Sequence, residues 1–198
     1  MSAGLSGFAP GRDRSLNTSV RFQLGNDDYL NGSELGLPLG QHPRSVCVWV
    51  NPETYPLNAN EHSAIFSYGT PGPGTEFILS IFKSGLGDNL IRFGGLGGGE
   101  VYTTYSIPLN RWSHICGTFD GTYGYIYVNG IDIAGPTNIG SSINTTPSTG
   151  VYIGKIMTYS TQTFAGKIDD LRVYSKALTD KEVRRLSAQI PAGLPGSF

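Results

Sequence analysis

Between Trp112 and Ala134 the chain turns back on itself twice within a very short span. Trp112 to Phe119 is an apolar-rich extended run, stopped by Asp120-Gly121-Thr122. Tyr123 to Val128 follows, and Asn129-Gly130 is the two-residue turn that the right-handed twist of a hairpin favours. Ile131 to Ala134 then returns as a third strand. A three-stranded antiparallel meander is therefore expected here, and a meander must bury one face against a second layer. The same punctuation runs along the rest of the chain. Strands are expected over 19–24, 45–50, 63–68, 76–83, 90–93, 101–107, 151–154 and 168–174, separated by turn formers. The sequence holds 28 Gly and 12 Pro, and only 15% of its residues are charged, against about 25% in an ordinary globular chain. A coiled coil, a helical bundle and a disordered polyelectrolyte are all excluded by these proportions.

One helix is expected. Thr179 stands three residues before Glu182, the spacing of a capping box. Val183, Leu186 and Ile190 then share one face, placing a short helix over about 180–188. Residues 1–18 read as an N-terminal arm and 191–198 as a C-terminal tail, with a single domain over 19–190 between them. Neither end has a strand or helix period, and each carries isolated apolar groups such as Phe8 and Phe198. Ordering a backbone costs about 1–2 kcal/mol per residue, so the expectation is that an arm crosses onto a neighbouring chain in an oligomer. The first twenty residues have no apolar core segment and do not read as a signal peptide. No run approaches a membrane-spanning length. Fourteen basic against fifteen acidic residues leave no basic block for nucleic acid.

Several segments together resemble a known family. Gly25-Asn26-Asp27-Asp28-Tyr29-Leu30 and Val48-Trp49-Val50-Asn51-Pro52 come first. Trp112-Ser113-His114-Ile115-Cys116-Gly117-Thr118-Phe119-Asp120-Gly121 and Ile126-Tyr127-Val128-Asn129-Gly130 follow. Tyr152-Ile153-Gly154, then Phe164 through Tyr174, then Ala177-Leu178-Thr179 complete the order. This pattern resembles the laminin-G-like branch of the concanavalin A-like lectin/glucanase superfamily. The resemblance implies an all-β fold: a two-sheet antiparallel jelly-roll sandwich with one short C-terminal helix. It also implies core positions for Trp49 and Trp112. That superfamily holds enzymes, lectins and scaffolding modules, so function has to come from the residues.

The residues argue against catalysis. The glucanase branch displays Glu-x-Asp-x-x-Glu on one strand, giving a nucleophile and an acid about 5 Å apart. The matching stretch here, Gly130 to Gly135, keeps Asp132 and lacks both glutamates. His42, His62 and His114 are scattered, and Ser113 and His114, adjacent on a strand, point to opposite faces. Binding residues are better represented. Tyr125 and Tyr127 share one strand face, either in the core or as an outward aromatic strip of the kind that stacks on sugar rings. Tyr102 and Tyr105 are loop candidates for the same role. Asp169 is expected on the face of Leu171 and Val173, and a buried carboxylate needs hydrogen bonds or a cation. With Asp27 and Asp28 it makes a candidate structural calcium set, as relatives imply; the alternative is turn capping. Cys47 and Cys116 read as small buried thiols in preference to a disulfide. The expected function is a non-catalytic lectin-like module recognising glycans or assembly-partner chains. Its expected place is the surface of a larger extracellular-facing assembly, such as a phage virion decoration, fibre or adhesion protein. The alternative is a stand-alone secreted carbohydrate-binding module, and a glycoside hydrolase is a distant third.

Overall fold

The expected meander forms one edge of a seven-stranded antiparallel sheet. In a computed structural model, residues 7–12, 18–86, 89–148, 150–159 and 162–189 are described. The seven-stranded sheet runs β1 (Phe8–Ala9), β2 (Ser19–Phe22), β13 (Gly166–Tyr174), β4 (Arg44–Pro52), β9 (Ser113–Phe119), β10 (Tyr123–Val128), β11 (Ile131–Asn138). A six-stranded sheet faces it, in the order β3 (Leu30–Gly32), β12 (Val151–Ile153), β5 (His62–Gly69), β6 (Glu76–Lys83), β7 (Asn89–Gly95), β8 (Glu100–Tyr102). The result is the two-sheet jelly-roll sandwich, with α1 (Asp180–Ser187) as its helix.

Alternation along each strand builds the core. Val46, Val48 and Val50 of β4, Ile115 and Phe119 of β9, and Ile126 and Val128 of β10 point inward. They meet Phe77, Leu79 and Ile81 of β6 and Ile91 and Phe93 of β7. Each such side chain contributes about 1.5–3 kcal/mol by leaving water. Phe77 and Phe93 pack edge to face, with ring centres 5.0 Å apart. Gly117 lies opposite Phe93, and a Cβ there would stand 2.1 Å from the ring. The ring occupies the space a side chain at 117 would need.

Two strands, β6 and β10, match their expected limits, and others differ for identifiable reasons. The strand expected over 101–107 stops at Tyr102, because the Thr103 hydroxyl takes up the backbone N–H of Tyr105 (3.2 Å) and of Ile91 (3.4 Å). β11 continues to Asn138 through Pro136, which an edge strand tolerates. The arm is not featureless. Phe8 pairs with Val20 and Ala9 with Ser19, so the described part of the arm docks on its own sandwich through backbone bonds that no side-chain period announces. Phe8 itself is 72% exposed, with no apolar enclosure. Phe198 and the 191–198 tail lie outside the described residues, as does Ile190 of the expected helix stripe.

Four expectations about individual side chains are corrected. The pairing of β13 with β4 shifts register between Asp169 and Arg172, and Asp170 takes φ 49°. This bulge breaks the alternation. Ile168 is buried in the core, Asp169 pairs with Trp49 on the outer face, and Leu171 and Val173 return to the core side. Asp169 therefore does not share their face. Trp49 is not a core residue: its ring lies on the outside of the seven-stranded sheet, with the Arg12 guanidinium 4.4 Å from its centre and His114 beside it. Trp112 is half-buried at the start of β9 and belongs to neither apolar cluster of that sheet. Finally, Cys47 and Cys116 are directly opposed on β4 and β9 and form a disulfide. Facing positions in adjacent antiparallel strands bring two cysteines together whatever their separation in sequence.

Candidate functional site

The sandwich has two outer faces. On the seven-stranded sheet, Tyr125 and Tyr127 do point outward, stacked with centres 6.5 Å apart. They are not free to receive a sugar ring, because α1 lies over them. The Thr179 side chain and Glu182 form the expected capping box and start the helix there. Leu178, Val183 and Leu186 then pack on Tyr127 and the Cys47–Cys116 bridge. The Tyr127 hydroxyl donates to Asp180 Oδ1 at 2.7 Å, and burial followed by that carboxylate pushes the phenol well above its ordinary value. Tyr127 is thus a helix-docking residue. Tyr125, half-buried, lines the shallow groove beside it with Asp132 and Asp180.

The opposite face carries a different construction. Along β5, β6, β7 and β8, residues that point away from the core form one continuous polar ladder: His62, Ser80, Arg92, Glu100 and Tyr102. Arg92 Nη1 donates to His62 Nε2 at 3.3 Å. An arginine offers only donors, so the imidazole proton sits on Nδ1 and is given to Ser80 Oγ at 2.8 Å. Burial, and then the Arg92 charge, lowers His62 to about 3. Arg92 Nη2 forms an ion pair with Glu100 Oε2 and also donates to the Tyr102 hydroxyl at 3.0 Å. That hydroxyl in turn donates to Glu100 Oε2 at 3.0 Å. The guanidinium is held between two rings, Phe82 at 4.2 Å and Tyr102 at 4.8 Å. Arg92 and Glu100 are each only 8% exposed, whereas Tyr102 is 49% exposed.

Tyr159 stacks on the His62 ring, tilted from it by 16°, at 5.9 Å. Beyond His62 the ladder opens into a cleft of about 320 Å³, lined by Asp27, Tyr55, Asn58, Glu61, His62 and Gln162. The His62 backbone N–H donates to Gln162 Oε1 there (2.8 Å). Glu61 accepts from both the side chain and the backbone of Asn58, which holds its carboxyl below the usual range. Of the other expected aromatics, Tyr102 is part of the ladder. Tyr105 diverges from it toward Tyr55, whose phenol rises through burial and then through Tyr105.

The three aspartates read as a calcium set do not converge. Asp28 is buried and accepts the Gln23 N–H at 2.8 Å, as a turn-capping carboxylate does. Asp27 lines the cleft. Asp169 lies on the other sheet, near the backbone N–H of Arg12, with burial raising its carboxyl. Among the described residues no three His, Cys, Asp or Glu side chains gather as a metal-holding group. The residues as placed do not fit a cation at that set.

His62, Ser80, Arg92 and Glu100 escape a reading of the sequence because each comes from a different strand. The available sign was a lone arginine between apolar neighbours in Leu90-Ile91-Arg92-Phe93.

Comparisons with known proteins agree on the architecture. A family model described as concanavalin A-like lectin/glucanases superfamily matches residues 24–184. Among solved structures, the heptameric SAP-like pentraxin from Limulus polyphemus superposes with a TM-score of 0.65 at 20% identity, covering 86% of this chain and 81% of that one. Domain 4 of AbnA, an extracellular GH43 arabinanase from Geobacillus stearothermophilus, in complex with arabinotriose, gives 0.59 at 21% identity over 85% and 76%. A protein assigned as carbohydrate binding, from Bacteroides ovatus, gives 0.62 at 26% identity over 79% of this chain and 44% of its own. A search of the curated proteins finds no match.

Proposed function

Because this chain belongs to the concanavalin A-like lectin/glucanases superfamily, we propose that it is a non-catalytic, lectin-like module that binds a glycan on the outer face of its six-stranded sheet. The observation that carries the reading is the Arg92–Glu100 pair. A buried ion pair on an outward face costs desolvation that an apolar pair would not. Such a pair is retained where convergent polar groups and flanking aromatic rings are put to use. Phe82, Tyr102 and Tyr159 supply the rings, and the adjoining cleft supplies Asn58 and Gln162 as hydrogen-bonding groups. Two of the similar structures are described as carbohydrate-binding or arabinotriose-bound, which supports the class of ligand.

Hydrolysis is not supported by the carboxylates of this face and its cleft. A general acid needs a raised value, and Glu61 in the cleft is lowered. Glu76 accepts from Met157 N, Thr158 N and Thr158 Oγ1, and Glu100 is engaged by Arg92 and Tyr102. The described arm docks on its own sandwich, which favours a self-sufficient binding module over a virion building block joined through that arm. The Cys47–Cys116 bridge suits an oxidising, extracellular-facing setting.

The test is titration of the intact chain with neutral and acidic trisaccharides, followed by nuclear magnetic resonance and calorimetry. Saturable binding with shift changes centred on Arg92, Glu100 and Tyr102 is expected, and laminarin and lichenan should remain intact. Absence of binding across the panel, or release of reducing sugar, overturns the reading.

A further inference from the structure

The Tyr102 hydroxyl does to Arg92 and Glu100 what a sugar hydroxyl would do. It accepts from Arg92 Nη2 and donates to Glu100 Oε2, both at 3.0 Å. Two further polar atoms of the same pair, Arg92 Nε and Glu100 Oε1, are buried and have no hydrogen-bond partner. A buried donor or acceptor left unpaired is costly, so the pair is incomplete as it stands. Tyr102 is also placed to move. It ends β8, an edge strand of three residues, and its ring is half exposed. Arg92, by contrast, is held on β7, which is paired on both sides, with the Phe82 ring against its guanidinium and His62 on Nη1.

We infer that Tyr102 is a placeholder that fills the ligand's hydroxyl position in the free protein, and that the site takes a neutral sugar bearing adjacent hydroxyls. This rests on the glycan-binding reading above. When the ring swings outward, one sugar hydroxyl takes the position between Nη2 and Oε2. Its neighbour reaches the unpaired Nε donor or Oε1 acceptor. Hydroxyls suit the pair because each both donates and accepts. A uronate or sialate carboxylate only accepts, and Glu100 opposes its charge.

The experiment compares the parent chain with Tyr102→Phe and Glu100→Gln, each checked for an unchanged fold by thermal melting. The probes are arabinotriose, cellotriose and mannotriose as neutral ligands, and trigalacturonate as the acidic one, measured by calorimetry. The parent should bind at least one neutral trisaccharide more tightly than trigalacturonate. Tyr102→Phe removes the competing hydroxyl and should tighten the neutral ligand about fivefold. Glu100→Gln should weaken the neutral ligand and narrow the preference against trigalacturonate. Weaker or unchanged neutral binding in Tyr102→Phe overturns the placeholder role. Preference of the parent for trigalacturonate overturns the neutral-sugar assignment and leaves glycan binding in place. Failure of every probe to bind the parent removes the glycan-binding reading and this inference with it.

Discussion

The outer faces of the two sheets start from the same problem and resolve it differently. Each carries aromatic and charged side chains that alternation sends away from the core. On the seven-stranded sheet the chain covers them itself: α1 lies on Tyr127 and the disulfide, and Arg12 of the arm lies on Trp49. On the six-stranded sheet, Ile156 joins Ala64, Ile78 and Leu96 in a small apolar cluster, and the Arg92–Glu100 pair ends under a half-exposed Tyr102. Self-coverage turns an outward aromatic into a structural residue. On the six-stranded sheet the cover over the Arg92–Glu100 pair stops at one half-exposed ring. The position of a tyrosine on an outward face is thus a weaker guide to binding than the question of what lies over it.

Acid is the largest expected disturbance of this comparison, and it reaches both faces. His62 on one face and His114 on the other are lowered by burial, to about 3 and about 4, with the Arg92 and Arg12 charges adding to the effect. The unfolded chain takes up these protons near pH 6.5, well before the folded one does. Stability is therefore fully present above pH 6.5 and declines as pH falls toward those values. At pH 4.5 the loss is about 2–3 kcal/mol for each histidine. Urea denaturation across this range should show the decline, and His62→Asn and His114→Asn should each flatten it by about half. A flat profile in the parent chain would show that both imidazoles are solvated.

Removing the disulfide sharpens the contrast, because it touches one face alone. Cys47→Ala/Cys116→Ala opens a link between positions 69 residues apart and should cost about 2–4 kcal/mol. Calorimetric titration of the refolded variant should give unchanged glycan affinity. Loss of binding without loss of fold would move the site to the helix side. The smallest change is Tyr127→Phe, which removes the bond to Asp180 and should cost about 1 kcal/mol. Hydrogen exchange should place that loss in α1 and leave β5 through β8 as protected as before.

The fold was legible in the chain wherever a local rule governs. Asn129-Gly130 marked its hairpin, Thr179 and Glu182 marked the helix start, and the alternation of Glu76 to Lys83 and Tyr123 to Val128 gave both strands their limits. What stayed hidden depends on strand register. The Asp169–Asp170 bulge inverts the side-chain pattern without a distinctive residue, so Asp169 was assigned to the wrong face. The disulfide depends on Cys47 facing Cys116 across two strands. Tyr102 was recognisable as an aromatic candidate, but His62, Ser80 and Arg92 reach it and Glu100 from three other strands. Their meeting is a product of lateral pairing, which one sequence does not display. The two-residue β1 offers too few positions to have a period at all.

Phe93 and Arg92 are neighbours on β7 that face in opposite directions, the ring toward Gly117 and the guanidinium toward the ladder. The strand between them works as a see-saw whose inner end rests on a glycine. A larger residue at 117 would lift that end and tip the outer end, displacing Arg92 relative to Glu100 without touching either. The outer face of the six-stranded sheet is in that sense calibrated from the far side of the core, by an atom that is missing from the opposite sheet.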